Sequence, residues 1–358
     1  QHISDRCGPV FKHRRLTNRT ITDRAASFLD DRIPALSHQP LLKWSPPTAM
    51  NNVKHLIDWK FWRDGDMRHV LELARTVKHN RKDYQNHMQG HTLVMLFQKT
   101  STRTRVSFEA GMTELGGHAI NLDWRASNFA LSKVRFETKY LSRNAAMIMA
   151  RLKDNADIVE MEDAASVPVI NGCCNLYHPC QALADALTIA EDRGGNPDGA
   201  RLTYIGVYNN VVNSLVSISS SLGIHLTLVC PVRDIDTVDE ESRQRLQDAG
   251  LLTETLDVTE AVSQADYVYT DTWLDMEYFN DPSYQSEKDQ RSELMLPYQI
   301  NSTLMAGSRA KIMHDMPIHP GYEIAEDMVE SDRSIIYDQA ENRLDAQKAI
   351  MLHLLHDL

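Results

Sequence analysis

The sequence predicts an α/β protein built as two domains, each around a parallel sheet. Three observations carry this. Short apolar runs of strand length alternate with segments of helical spacing through most of the chain, the pattern of a parallel sheet with crossover helices. The alternation occurs twice, on either side of the clearest linker signal, Gly-Gly-Asn-Pro-Asp-Gly at 194–199. Turns rich in hydroxyl and charged residues follow the apolar runs, at the carboxyl ends of strands, where open α/β sheets bind ligands.

Met67, Val70, Leu71, Ala74 and Val77 recur at helical spacing and open the first helix. A strand at 92–97 leads through a polar turn to a helix over 106–116, which Gly116 and Gly117 end. The next strand is 119–122. A strand at 147–151, a helix near 154–165 and a strand at 167–170 complete this unit. Pro179 fits the first turn of a helix that starts near Cys180 and runs to about residue 193, because its missing N–H does no harm there. After the linker, strands at 202–207 and 224–229 flank a helix over 211–222. Helices near 239–249 and 259–264 lead to a strand at 267–270.

Residues 97–109, Phe-Gln-Lys-Thr-Ser-Thr-Arg-Thr-Arg-Val-Ser-Phe-Glu, are the most informative stretch. Hydroxyls, guanidinium groups and backbone N–H groups converge there at the positive end of a helix, which suits a phosphate or another compact dianion. The plainer reading of such a cluster is a basic cap on a surface helix. A second motif shifts the balance: Asn175-Leu-Tyr-His-Pro-Cys-Gln-Ala-Leu-Ala-Asp185. Here His178 precedes a proline and so favours a turn. From a helix N-terminus His178 and Gln181 can face one cavity, offering an imidazole donor for a carbonyl oxygen and a carboxamide for an amide. Alone, a His-Pro turn is more often structural than catalytic.

Together these motifs resemble the aspartate/ornithine carbamoyltransferase family, from about Trp59 to the C-terminus. The resemblance implies that Ser101, Thr102, Arg103 and Thr104 hold the phosphate of carbamoyl phosphate, with Arg151 at the end of a buried strand. It gives the carbamoyl carbonyl and amide to His178 and Gln181. Three further landmarks come in the family's order: 208–215 as the loop and helix opening the second domain, with Asn210; Asp271-Thr-Trp-Leu-Asp275-Met276 as the amine-substrate loop; and Glu341-Asn-Arg343-Leu as the start of a closing C-terminal helix. The implied architecture is an N-terminal extension (1–48), a carbamoyl phosphate-binding domain (49–190), an amine-binding domain (191–339) and a helix (340–358) returning to the first domain. The family also implies a homotrimer. In the segment 127–137 the family's glycine-rich loop to a neighbouring active site is lacking, and Asn128 or Lys133 would take that role.

The implied chemistry is carbamoyl transfer from carbamoyl phosphate to a small amine. Arg103, Arg151, the hydroxyl groups and the helix N-terminus compensate the charge of the departing phosphate, and Arg343 is a further carbamoyl phosphate-binding residue. Thr104 and His178 hold the oxyanion, and Gln181 orients the carbamoyl group. No cofactor, metal or nucleophilic cysteine is needed, since phosphate can take the amine proton; His178 as general base is the rival assignment. The acceptor loops depart from the ornithine pattern. Where ornithine enzymes carry Asp-x-x-x-Ser-Met-Gly and His-Cys-Leu-Pro, this chain has Asp275, Met276 and Glu277, and then His314-Asp315-Met316-Pro317. Asp271, Asp275 and Asp315 around one cleft would repel an acidic acceptor and attract a cation: a diamine, a longer basic amino acid, a guanidino compound, or ornithine itself. Asp275 as a helix cap is the plainer reading.

Two other classes compete. A regulatory or structural homologue that has lost catalysis is opposed by Arg103, Arg151, His178 and Gln181 all being present. A nicotinamide-dependent oxidoreductase is suggested by the second alternation, but the turn after its first strand, Tyr208-Asn209-Asn210, lacks the later glycines of a dinucleotide fingerprint. A formal charge of −11 argues against a nucleic-acid partner, and the longest apolar runs are too short to span a bilayer. Five cysteines without CxxC spacing fit reduced thiols in a cytoplasmic protein. Residues 5–24 carry six Lys or Arg against two Asp, and 34–47 hold four prolines. That stretch reads as a basic arm on a neighbouring subunit or as a poorly ordered tail, ahead of a targeting remnant.

Overall fold

The computed structural model describes residues 54–233, 237–274, 279 and 281–356. The first sheet holds β1 (Thr92–Phe97), β2 (His118–Asp123), β3 (Met147–Arg151) and β4 (Val169–Cys173), in the order β2-β1-β3-β4. The second holds β5 (Arg201–Tyr208), β6 (His225–Arg233), β7 (Leu252–Glu254), β8 (Tyr267–Thr270) and β9 (Lys311–His314), in the order β7-β6-β5-β8-β9. Every pairing between these strands is parallel. Helices cover the sheets: α1 (Asp64–His79), α2 (Arg103–Glu114), α3 (Val134–Leu141), α4 (Asn155–Ala164), α5 (Pro179–Asp192), α6 (Asn210–Leu222), α7 (Glu240–Asp248), α8 (Val258–Gln264), α9 (Gln285–Met295), α10 (Glu326–Val329) and α11 (Ile336–His356).

Sheet interiors explain the strand sequences. All five residues of β3 are buried, as are the four central residues of β1, so both read as continuous apolar runs rather than alternating ones. By contrast α1 is amphipathic, burying Met67, Val70, Leu71, Ala74 and Val77 at the predicted spacing. Pro179 does open α5, whose residues 179–190 are all buried. α11 packs on α5, α1 and α2, so the C-terminal helix does return to the helices of the first sheet. No described helix is long and apolar enough to cross a membrane.

Several boundaries move, β6 among them, which runs on to Arg233 rather than 229. α2 begins at Arg103 rather than 106, so the hydroxyl- and arginine-rich turn runs into the helix's first turn. β4 occupies Val169–Cys173 rather than 167–170; its outer neighbour is an isolated bridge between Leu56 and Ile170, a long-range contact. α11 begins at Ile336, five residues before the landmark that was expected to open it. Elements α3, α9, α10, β7 and β9 lay outside the sequence reading; β7 and β9 are three and four residues long, too short to show a period.

Candidate active site

A cleft of about 880 Å³ lies over the carboxyl ends of both sheets. Each strand end delivers part of it. Ser101, Arg103 and Thr104 follow β1, Arg151 ends β3, and His178 lies between β4 and α5. Asn209 and Asn210 follow β5, Asp271 follows β8, and Asp315 and Met316 follow β9. Arg343 reaches in from α11, where its Nη2 donates to Thr104 Oγ1 at 2.8 Å. The parallel topology thus brings together residues as far apart in the chain as Ser101 and Arg343.

One end of the cleft is basic. Arg151 and Arg343 are 6% and 3% exposed, and His178 is 5%. Burial, then the neighbouring Arg151 and Arg103, lowers the Arg343 pKa to about 10. Burial also lowers that of Arg103, with Asp315 pulling the other way. His178 is held well below its ordinary value by burial and by Arg343, Arg151 and Arg103 in turn, so its imidazole is neutral. Arg103 Nε, Arg151 Nε, Arg343 Nε, His178 Nδ1 and Gln181 Oε1 are buried without a hydrogen-bond partner among the described residues. Buried polar groups are ordinarily satisfied. The guanidinium donors of Arg103, Arg151 and Arg343, clustered near the N-terminus of α2, are suited to a multiply charged anion.

The other end is acidic. Asp271, 5% exposed, accepts from Asn209 Nδ2 at 2.6 Å and from Thr272 N at 2.6 Å. Its carboxyl also hydrogen-bonds that of Asp315; burial first, and Asp315 next, push its pKa well up. Burial raises Asp315 as well, and its Oδ1 has no partner among the described residues. Two such carboxylates share a proton until a cation separates them. Behind them His314 Nδ1 accepts the Met316 N–H at 2.8 Å, and its Nε2 lies 3.1 Å from Glu323. Asp271, His314 and Asp315 lie close enough to suggest a metal site. Both His314 nitrogens are engaged, however, which leaves only the acid pair. Met316 takes φ 64°, a left-handed conformation costly for a residue with a Cβ, held by that same His314 bond.

Several sequence-predicted residues sit elsewhere than expected. Gln181 does not line the cleft: it is fully buried one turn into α5, where Nε2 donates to Asp185 and only Oε1 remains available. Thr102 is the exposed cap of α2 and also does not line it. Asn128 does not line this chain's cleft either, because it opens a short 3-10 turn beyond β2, the edge strand; exposed Lys133 caps α3 nearby. Asn210 lines the cleft, but its Nδ2 donates to Cys174 O at 2.6 Å. Asp275 and Met276 lie outside the described residues. Sequence reading missed Asn209, although it adjoins Asn210, and Asp185, although it closes the His-Pro motif. It also missed Glu287 and Arg291 of α9, which carry no motif at all.

Comparison with known proteins agrees with this geometry. Residues 54–191 match the carbamoyl-P binding domain of aspartate/ornithine carbamoyltransferases, and 198–354 match the Asp/Orn binding domain. The chain belongs to the aspartate/ornithine carbamoyltransferase family. It is 37% identical to an ornithine carbamoyltransferase of Archaeoglobus fulgidus over 308 residues, 85% of this chain and 98% of that one. The ornithine carbamoyltransferase structure from Pyrococcus furiosus superposes with a TM-score of 0.77 at 34% identity, covering 85% of this chain and 97% of that one. The structure of ornithine transcarbamoylase from Giardia lamblia gives 0.75 at 28% identity over 86% of this chain and all of that one. The fold and the transferase class expected from the sequence therefore stand.

Proposed function

We propose that this enzyme moves the carbamoyl group of carbamoyl phosphate to the amine of a cationic acceptor, an ornithine-like amino acid or a diamine, and releases phosphate. The observation that carries this reading is the pairing of two like-charged, buried clusters across one cleft, basic at one end and acidic at the other. Each is relieved by one substrate. The arginines and the α2 N-terminus take the phosphate, with Ser101 and Thr104. His178 and Thr104 donate to the carbonyl oxygen, and Gln181, bonded to Asp185 one turn into α5, backs the His178 turn from behind the cleft wall. The neutral acceptor nitrogen attacks the carbonyl carbon, a C–N bond forms, and the C–O bond to phosphate breaks. The proton leaves with phosphate. A neutral His178 whose pKa is depressed is a weak base, which favours its donor role.

The relatives' names favour ornithine, while Asp315, where the resemblance expects cysteine, favours a second positive charge on the acceptor. Asp271, Asp275, Asp315, Met276, Met316 and Asn210 would form that pocket. The division expected from sequence, 49–190 for carbamoyl phosphate, 191–339 for the amine and 340–358 returning, suits the two sheets, with α11 taking over from Ile336. A homotrimer is supported by exposed Val106, Ile120, Leu131, Phe136 and Tyr140, all within one stretch of the first unit. The deciding experiment supplies carbamoyl phosphate with ornithine, lysine, putrescine, agmatine or arginine, and reads phosphate and carbamoylated product by mass spectrometry. Product with a cationic amine supports the reading; no product with any of them ends it.

A further inference from the structure

Asp58 lies outside the cleft, fully buried, at the head of the short 3-10 turn Trp59–Phe61 that packs on α6. Burial pushes its carboxyl pKa up, against the pull of the groups that donate to it. A buried carboxylate is costly to folding unless it is well bonded. Besides the N–H of Lys60 in its own turn, which donates to Oδ1 at 3.0 Å, its bonds run to α6, which shapes the active site. Oδ2 accepts from Ser214 Oγ at 2.8 Å, and Oδ1 accepts from Ser217 Oγ at 2.7 Å. Both serines belong to α6, one turn apart, so a single carboxylate grips that helix twice.

Ser214 passes the contact on. Its oxygen accepts the backbone N–H of His178 at 2.9 Å. The next residue along, Trp59, donates from Nε1 to Pro179 O at 2.8 Å. The His178-Pro179 turn is therefore clamped by two successive residues of the entering chain. At its N-terminus α6 carries Asn209, which holds Asp271. Asp58 thus sits at the junction that sets the carbonyl-binding end of the cleft against the acceptor end.

We propose that Asp58 is a positioning residue for carbamoyl transfer, acting through the Ser214 hydroxyl to fix the His178 backbone in register with α6. This rests on His178 being the donor to the carbonyl oxygen. Ser217 shares the carboxylate, but its hydroxyl bonds Asp58 and Asn213 O rather than His178, so it separates gripping α6 from positioning the imidazole.

The test is a set of double-mutant cycles on the full chain: Asp58→Asn, Ser214→Ala and Ser217→Ala, each alone and with His178→Ala, with kcat read at saturating carbamoyl phosphate and acceptor. A displacement near 1 Å can cost about 100-fold, so Asp58→Asn and Ser214→Ala should each lower kcat by roughly 10- to 100-fold. In the His178→Ala background each should cost less than about threefold, because the group they position is gone. Ser217→Ala should cost less than Ser214→Ala. The same loss in both backgrounds would mean a structural role and overturn the proposal. If Asp58→Asn does not fold, the Ser214→Ala cycle decides alone. A wild-type enzyme that transfers no carbamoyl group would instead overturn the reading beneath it, a result distinct from an additive cycle.

Discussion

The two ends of the cleft solve the same physical problem with opposite charge. At the basic end Arg103, Arg343 and His178 all have pKa values lowered by burial and then by neighbouring arginines, Arg151 acting on each of them. At the acidic end Asp271 and Asp315 have theirs raised by burial, and in Asp271 by its partner as well. Each cluster is strained alone and relieved by a ligand of the other sign. The basic end is built on one helix N-terminus and three arginines from distant elements. The acidic end is built on two adjacent strand ends and a strained loop at Met316. On the proposed reading, phosphate recognition draws on a helix N-terminus and distant elements, and acceptor recognition on the loops of two neighbouring strand ends.

The largest effect should come from His178, where the two ends meet. His178→Ala should lower kcat by about 10²–10³, the usual cost of one oxyanion donor, and His178→Gln by less, since a carboxamide still donates. Equal, complete loss in both, with loss of the basic limb of the pH profile, would return His178 to the general-base role. Next, Arg103→Ala should weaken transition-state binding by about 1.5–3 kcal/mol, a charged hydrogen bond, without unfolding the protein. Near-normal turnover would remove Arg103 from the phosphate site. Asp271→Asn sharpens the contrast from the other side: acceptor KM should rise by about 10-fold or more, as for loss of a charged contact, with carbamoyl phosphate KM moving less. If both KM values rise alike, the two ends are not separate.

The smallest effects are protonic. A raised carboxyl pKa in the folded enzyme means that the acid pair's contribution to stability is present below the ordinary carboxylate range and lost as pH rises through the raised value. Ligand-free Asp271→Asn should therefore melt above wild type at neutral pH, with the gap shrinking on acidification and gone by about pH 4. A wild type that melts higher than the variant at neutral pH would show the pair to be stabilising. Acceptor binding should also release protons, visible as a buffer-dependent calorimetric enthalpy, and weaken at low pH. A buffer-independent enthalpy would mean that no proton is shared.

Much of the basic end was legible in the sequence because its groups are local to short motifs: 101–104 on one turn, and His178 and Gln181 one helical turn apart. Arg103, Arg151, His178 and Arg343 all reach the cleft. Gln181 shows the limit of that reading, for spacing puts it on the right face but not at the surface, and Asp185 decides which of its atoms stays available. Asp58 was invisible, since a lone carboxylate 120 residues before the turn that Trp59 clamps carries no motif.

By itself the sequence determined the strand–helix alternation and therefore two parallel sheets, because burial on both faces demands continuous apolar strands and crossover connections demand amphipathic helices between them. It also determined the chemistry of each loop. What only the tertiary structure decided is which loops face one another. The order β7-β6-β5-β8-β9 makes Asp271 and Asp315 neighbours, and the return of α11 sets Arg343 on Thr104. Burial, charge repulsion and shared protons follow from distances between residues far apart in the chain, and pairing in space is the one property that a linear pattern of residues does not carry.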